Sequence, residues 1–313
     1  MLSPNLSFSK IDTCLSLLII PVIFSVFKLN ALQIQRCLQV IFYVLLALVV
    51  VCWGAFLQHI VCEHLLMEAL HTPKAYYPLF LTPPWFWHPS FVSMILVFVM
   101  PLAFYLRFNK GIPPLLLWAA ILLTLPLIYF TGARIGIVVS LLLLMFAFIF
   151  YIKRFLNTER VAIVLLTVAL ALVSIHLSHN VFNDPIRKDL RALGIKAIAE
   201  HPVVGSGVYA MEGYIQSAEF TAKHNLPAYP FNHFHCTPID EVVQFGAVGG
   251  IISAAFLICI FILAWRKKDF LLLALLVIYL PFILVESPFH TVKGIMPMMF
   301  WLCLLISTQK ERL

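Results

Sequence analysis

A chain of 313 residues that is 62% hydrophobic and only 11% charged stands far from soluble domains, in which about a quarter of residues carry charge. That composition excludes an ordinary water-soluble fold. A net charge of +7 does not point to nucleic acid either, because the basic residues fall in short clusters between apolar runs, as membrane topology requires.

A spanning helix needs about 20 mostly apolar residues, since each backbone N–H and C=O must be paired within the segment where water is absent. In chain order, the apolar runs predict nine spans at 14–27, 38–57, 90–106, 114–130, 135–152, 161–178, 240–264, 270–285 and 294–308. Met1 to Lys10 has no basic stretch followed by a cleavage site, so targeting is expected to rest on the first span. Alternate loops hold Lys28 and Arg36, Arg107 and Lys110, Lys153, Arg154 and Arg160, Arg266 to Lys268, then Lys310 and Arg312. The intervening segments hold only Lys10, Lys74, Arg134 and Lys293. Because cytoplasmic loops are the basic ones, the expected N-terminus is outside and the C-terminus inside.

Two long connections then fall outside, 58–89 and 179–239. The second far exceeds ordinary loop length and is not poor in apolar residues, which favours a functional loop. Within it, Leu190, Leu193, Ala197 and Ile198 recur at helical spacing over 186–199, and Pro202, Gly205 and Gly207 end the pattern. The other face carries Arg187, Lys188, Arg191 and Lys196.

Candidate chemistry gathers on this outer side. Arg134, in Thr131-Gly132-Ala133-Arg134, sits at a tight turn between two apolar runs, where it either snorkels to the interface or binds an anion. Arg187 and Arg191 are four residues apart, hence on one helix face, and guanidinium groups bind phosphate oxygens bidentately; alone, such a cluster is also what a solvated face looks like. His233 and His235, just before the seventh span, suit a general base acting on a sugar hydroxyl. They compete with two other readings: plain interfacial histidines, or zinc ligation with Cys236, for which ligands at familiar spacing are missing. The seven cysteines show no CxxC spacing and imply no disulfide or metal framework. Span interiors contain no Asp, Glu, Lys or Arg, which argues against a proton path. No D-x-D pair or P-loop is present, so arginines must supply any positive charge that phosphate chemistry requires.

The chain resembles the O-antigen ligase and polymerase superfamily of bacterial envelope enzymes. The resemblance rests on ordered motifs over 85–307. Thr131-Gly132-Ala133-Arg134-Ile135-Gly136 resembles the family's S-R-G turn. Arg187 stands fifteen residues before Pro202 in an R…P-x-x-G-x-G series that includes Gly205 and Gly207. His235 stands eleven residues before Gly246 and fourteen before Gly249, as in H-N…G-x-x-G. Glu286 and Lys293-Gly294 resemble the closing E…G element, and Trp87-His88-Pro89-Ser90 an H-P-S-Y-type motif. Cys236 replaces the usual Asn, and Arg191 an aromatic residue. Members also have about three further N-terminal spans, so the chain is expected to be a shortened member.

The resemblance implies an all-α polytopic fold of the C-type glycosyltransferase kind. Residues 1–89 would form N-terminal helices and a first outer loop, and 90–313 a ligase-like membrane domain including the outer loop 179–239. It further implies metal-independent, cofactor-free, inverting transfer of an undecaprenyl-diphosphate-linked glycan, in the bacterial inner membrane with a periplasmic active face. The acceptor would be lipid A core in a ligase, the growing chain in a polymerase, or a protein in an oligosaccharyltransferase. Arg134, Arg187 and Arg191 would bind the diphosphate and His235 or His233 would act as base, with Gly205, Gly207, Glu286 and Lys293 in support. The alternative from another class is a membrane transporter or metal permease built on His233, His235 and Cys236.

Overall fold

The computed structural model describes residues 8–27, 29–63, 89–109, 111–155, 157–181, 185–207, 210–224 and 233–307. Among them every regular element is helical: α1 Phe8–Val26, α2 Ala31–Glu63, α3 Pro89–Val97, α4 Val99–Asn109, α5 Pro114–Phe130, α6 Arg134–Tyr151, α7 Asn157–Val181, α8 Pro185–Glu200, α9 Ala210–Ile215, α10 Ala218–Lys223, α11 Thr237–Lys267, α12 Phe270–Val285, a 3₁₀ turn Pro288–His290, and α13 Val292–Ser307. Among the described residues each predicted span overlaps helix, the one at 90–106 being divided between α3 and α4. Ala31–Gln58, Ser90–Asn109, Arg134–Tyr151 and Thr237–Lys267 are long and apolar enough to cross a bilayer, and shorter apolar helices cover Leu17–Val26, Pro114–Phe130, Phe270–Val285 and Gly294–Ser307. The chain is a membrane protein.

The span predicted at 38–57 lies within α2, which begins earlier, at Ala31, and continues as helix to Glu63, with the apolar stretch ending at Gln58. The expected outer segment 179–239 contains α8, α9 and α10, where only one helix was predicted. Trp87 and His88 lie outside the described residues, as does the side chain of Lys293.

Contacts divide the chain into two compact units, one of Met1–Phe27 and His179–Cys303, the other of Lys28–Ser178 and Leu304–Leu313. In the second unit α4 packs on α2 and α5, and α3 on α6. The α3–α6 approach is close at Gly136, where an added Cβ would lie 2.7 Å from the Ser93 Cβ. Gly132, with φ 68°, takes the left-handed conformation that lets α5 reverse into α6, since glycine carries no Cβ penalty there. The Thr131 hydroxyl donates to the Ile128 carbonyl at 2.7 Å and closes the same turn. The basic residues between spans are anchored too: Arg107 pairs with Glu159 at 3.7 Å, and Arg154 donates to the Phe108 carbonyl at 3.2 Å.

In the first unit α8 is the amphipathic helix the sequence predicts. Leu190 and Ala197 are fully buried and pack with Met211, Ile215, Phe220, Phe234 and Val243, with Leu193 and Ile198 at the margin. Gly194 allows the helix to approach α11 closely, since an added Cβ would lie 2.4 Å from Ile239 Cγ2 and 3.3 Å from the Phe234 ring. The α11–α12 hairpin carries its own stop and start signals. Arg266 and Lys267 complement the C-terminal dipole of α11, Lys268 turns with φ 49°, and the Asp269 carboxylate caps α12 by accepting from Leu272 N at 3.1 Å.

Candidate functional site

Glu286, the C-cap residue of α12, is the organising group of the first unit. Its carboxylate is buried and accepts at both oxygens. Arg187 Nη2 donates to Oε1 at 2.8 Å, and His235 Nδ1 lies 2.9 Å from Oε2. Its backbone carbonyl accepts from Thr237 N and from the Thr237 hydroxyl, each at 3.3 Å. A buried carboxylate is costly unless paired and hydrogen-bonded; Arg187 supplies the countercharge and His235 the second partner.

The arrangement fixes the imidazole. An ionised carboxylate can only accept, so the proton of neutral His235 is placed on Nδ1, and Nε2 is left as the basic nitrogen. His235 is buried and has φ 54°, a left-handed conformation uncommon outside glycine and typical of strained functional positions. The strain is held by a latch one residue away. Phe234 N donates to Asp240 Oδ1 at 2.8 Å, and the Ser287 hydroxyl donates to Asp240 Oδ2. Asp240 sits in the first turn of α11, where the helix dipole favours a carboxylate, and it ties the His235 loop to the residue after Glu286. His233 stacks edge-on against His235, ring centroids 4.4 Å apart at 74°. Cys236, the N-cap residue of α11, is buried, and burial pushes its thiol pKa up. Among the described residues no group of three or more His, Cys, Asp or Glu is placed to hold a metal ion.

The arginines of α8 do two things at once. Arg187 Nη1 donates to the Val285 carbonyl at 2.9 Å and Arg191 Nη2 to the Leu284 carbonyl at 3.3 Å. Both therefore cap the electronegative C-terminus of α12, whose last carbonyls have no intrahelical partner. Arg187 keeps 28% side-chain exposure, so the cation faces both the buried carboxylate and the outside. Lys188 and Lys196 are exposed. The sequence puts these four cations on one face, whereas the structure separates two arginines docked on α12 from two exposed lysines. Arg134 belongs to the other unit, at the first position of α6 and partly buried.

The glycine motifs, treated as separate in the sequence, meet in space. At Gly246 α11 breaks from helical geometry, with φ 65° and ψ −161°, and the 202–207 turn docks into the break. Ala247 N donates to the Pro202 carbonyl at 2.9 Å, Ser206 N to Val243 O at 2.7 Å and Gly207 N to Gln244 O at 3.1 Å. A Cβ at Gly205 would lie 2.5 Å from Gly246 N, and one at Gly246 would overlap the Val203 carbonyl. Gly294 serves a like purpose after Glu286, its Cα facing Pro288 too closely for a side chain while Tyr279 donates to its carbonyl at 2.9 Å.

Two further groups escaped the sequence reading. Gln244 Nε2 lies 3.1 Å from His290 Nδ1 and His290 Nε2 lies 3.4 Å from Glu241, a second polar cluster on the inner face of α11. Asp189 pairs with Lys223 at 2.7 Å and lies 3.1 Å from His224 Nε2, which ties α10 to α8. The i, i+4 offset of Asp240 and Gln244, and their place in the first turns of an otherwise apolar helix, were the available signals.

Residues 119–254 match the family model described as O-antigen ligase. No curated protein matches the chain. The resemblance to the O-antigen ligase superfamily thus holds over a segment that contains Arg134, Arg187, Arg191, both docked glycine motifs and His235, and that stops short of Glu286.

Proposed function

We propose that this O-antigen ligase-like membrane protein transfers an undecaprenyl-diphosphate-linked glycan to lipid A core at the periplasmic face of the bacterial inner membrane. The observation that carries the reading is the bridge Arg187–Glu286–His235. One carboxylate holds a guanidinium and a basic imidazole nitrogen in fixed relation, which is what a reaction between a hydroxyl and a diphosphate ester needs.

In this reading His235 Nε2 takes the proton of the acceptor hydroxyl as its oxygen attacks the anomeric carbon. The new C–O bond forms as the bond from that carbon to the diphosphate oxygen breaks, and undecaprenyl diphosphate leaves with the electron pair. Attack from the face opposite the leaving group inverts the anomeric centre. Glu286 stabilises the imidazolium that forms, as the buried carboxylate does in a catalytic triad. The exposed edge of Arg187, with Arg191 beside it, meets the charge that grows on the diphosphate. Arg134 is a separate proposal, an anion-binding cation of the other unit. His233 is the alternate base, and Lys293 a supporting cation. The nine-span topology with the N-terminus outside belongs to the same proposal, on the support of the loop charges.

Arg187→Ala and His235→Ala are each expected to abolish polymer on lipid A core while the protein remains in the membrane. Normal glycan ladders in both variants would refute the assignment. In cells lacking the gene, loss of all polymer from core marks a ligase, whereas one repeat left on core marks a polymerase.

A further inference from the structure

The turn that follows α8 presents an apolar tip to the exterior. His201 to Val204 are all exposed, with Val203 at 63% and Val204 at 80%. Gly205 N closes the turn on the His201 carbonyl at 3.1 Å. Isolated exposed valines are ordinary; these two differ in where they are fastened. The three backbone hydrogen bonds from 202–207 to Val243, Gln244 and Ala247 lock the tip against the Gly246 break. From that level downward α11 shows an outward apolar stripe, Phe245, Val248, Ile251 at 67% and Ile252 at 64%. The valine tip is fastened to α11 at the head of that stripe, and Ile195 on α8 is exposed as well.

Length fixes what covers this surface. α11 has 31 residues, about 46 Å at 1.5 Å per residue, which is much more than the roughly 30 Å hydrocarbon thickness. From Gly246 to Arg266, where the basic cluster begins, the rise is about 30 Å, which matches it. The part above Gly246 is the part that carries Asp240, Glu241 and Gln244, groups that do not belong in hydrocarbon.

We infer that the Pro202–Val204 turn is a membrane-interface anchor: its two valines sit among lipid acyl chains at the boundary where α11 leaves the hydrocarbon at Gly246. The anchor sets the depth of α8 and, through Val243 and Gln244, the height of the His235–Glu286 pair just above the bilayer surface. The partner is the acyl region of the lipid bilayer, and the inference does not depend on the reaction proposed above.

Carbene footprinting of the unmodified full-length protein in liposomes tests it. A membrane-partitioning diazirine and a water-soluble one are used in parallel, and labelling is read by mass spectrometry on the tryptic peptide from Ala197 to Lys223, which spans the turn, and on the peptide that contains Ile251 and Ile252. The ratio of membrane to aqueous labelling at Val203–Val204 is expected to lie closer to that at Ile251–Ile252 than to that at Lys223, whose side chain is exposed on α10. A ratio closer to that at Lys223 overturns the anchor.

Discussion

Replacing Gly246 by alanine tests the docking of the two glycine motifs directly. The position has φ 65° and ψ −161°, a region essentially restricted to glycine that costs about 1–3 kcal/mol for other residues. The new Cβ would also overlap the Val203 carbonyl and lie 2.5 Å from Val204 N. Those atoms are backbone and cannot rotate away, so overpacking adds about 1–3 kcal/mol. The expected loss is therefore about 2–6 kcal/mol, set by how far the 202–207 turn can retreat. Two other glycines supply the scale. Gly207 has φ 89° but open space around its Cβ position, so Gly207→Ala carries only the backbone cost of about 1–2 kcal/mol. Gly213 lies in α9 with neither positive φ nor a neighbour within 4 Å, so Gly213→Ala should be neutral or stabilise by about 0.5–1 kcal/mol. Thermal unfolding in detergent should rank the proteins Gly246→Ala lowest, then Gly207→Ala, then the parent, with Gly213→Ala at or above it. Limited proteolysis at the Val203–Val204 turn should accelerate in Gly246→Ala alone. A Gly246→Ala protein that melts with or above Gly207→Ala would show that the turn is not seated in the break.

Glu286→Gln keeps the shape of the side chain but removes its charge. If its amide N–H donates to His235 Nδ1, the ring proton moves to Nε2 and the base is lost, so transfer should fall by at least about 100-fold, as when the orienting carboxylate of a triad is amidated; full glycan ladders in this variant would exclude Glu286 as the orienting group. The Asp189 carboxyl is held below its usual 3.8, first by the hydrogen bond from Lys223 and then by the nearby charges of Lys223 and His224. A depressed carboxyl contributes stability above its unfolded value and loses it as pH falls through the folded one. Hydrogen exchange of Ala218–Lys223, normalised for intrinsic rates, should therefore show protection at pH 5 that fades below pH 3.8, and Asp189→Asn should lack that protection at pH 5. Equal protection at both pH values in the parent would remove the pair as the tether of α10.

The sequence by itself determined that this chain lives in a membrane and where its apolar helices run, whereas the short helices α9 and α10 were not legible in it. Apolar runs near bilayer length leave the backbone no partner but itself, and α8 declared its buried face through Leu190 and Ala197, since helical periodicity is a local property. It also displayed His235, Arg187 and the glycines as motifs. Their mutual relations lay beyond it, because Arg187 and Glu286 are 99 residues apart and His235 and Glu286 51 apart, and no period or local spacing links them. Only tertiary structure decided that Glu286 joins the other two, that Asp240 latches the His235 loop, and that Gly205 and Gly246 are glycine for one shared reason. Burial makes these links: a carboxylate removed from water must find its cation and its hydrogen bonds wherever the chain brings them, and the two backbones pack here so closely that neither Gly205 nor Gly246 has room for a Cβ.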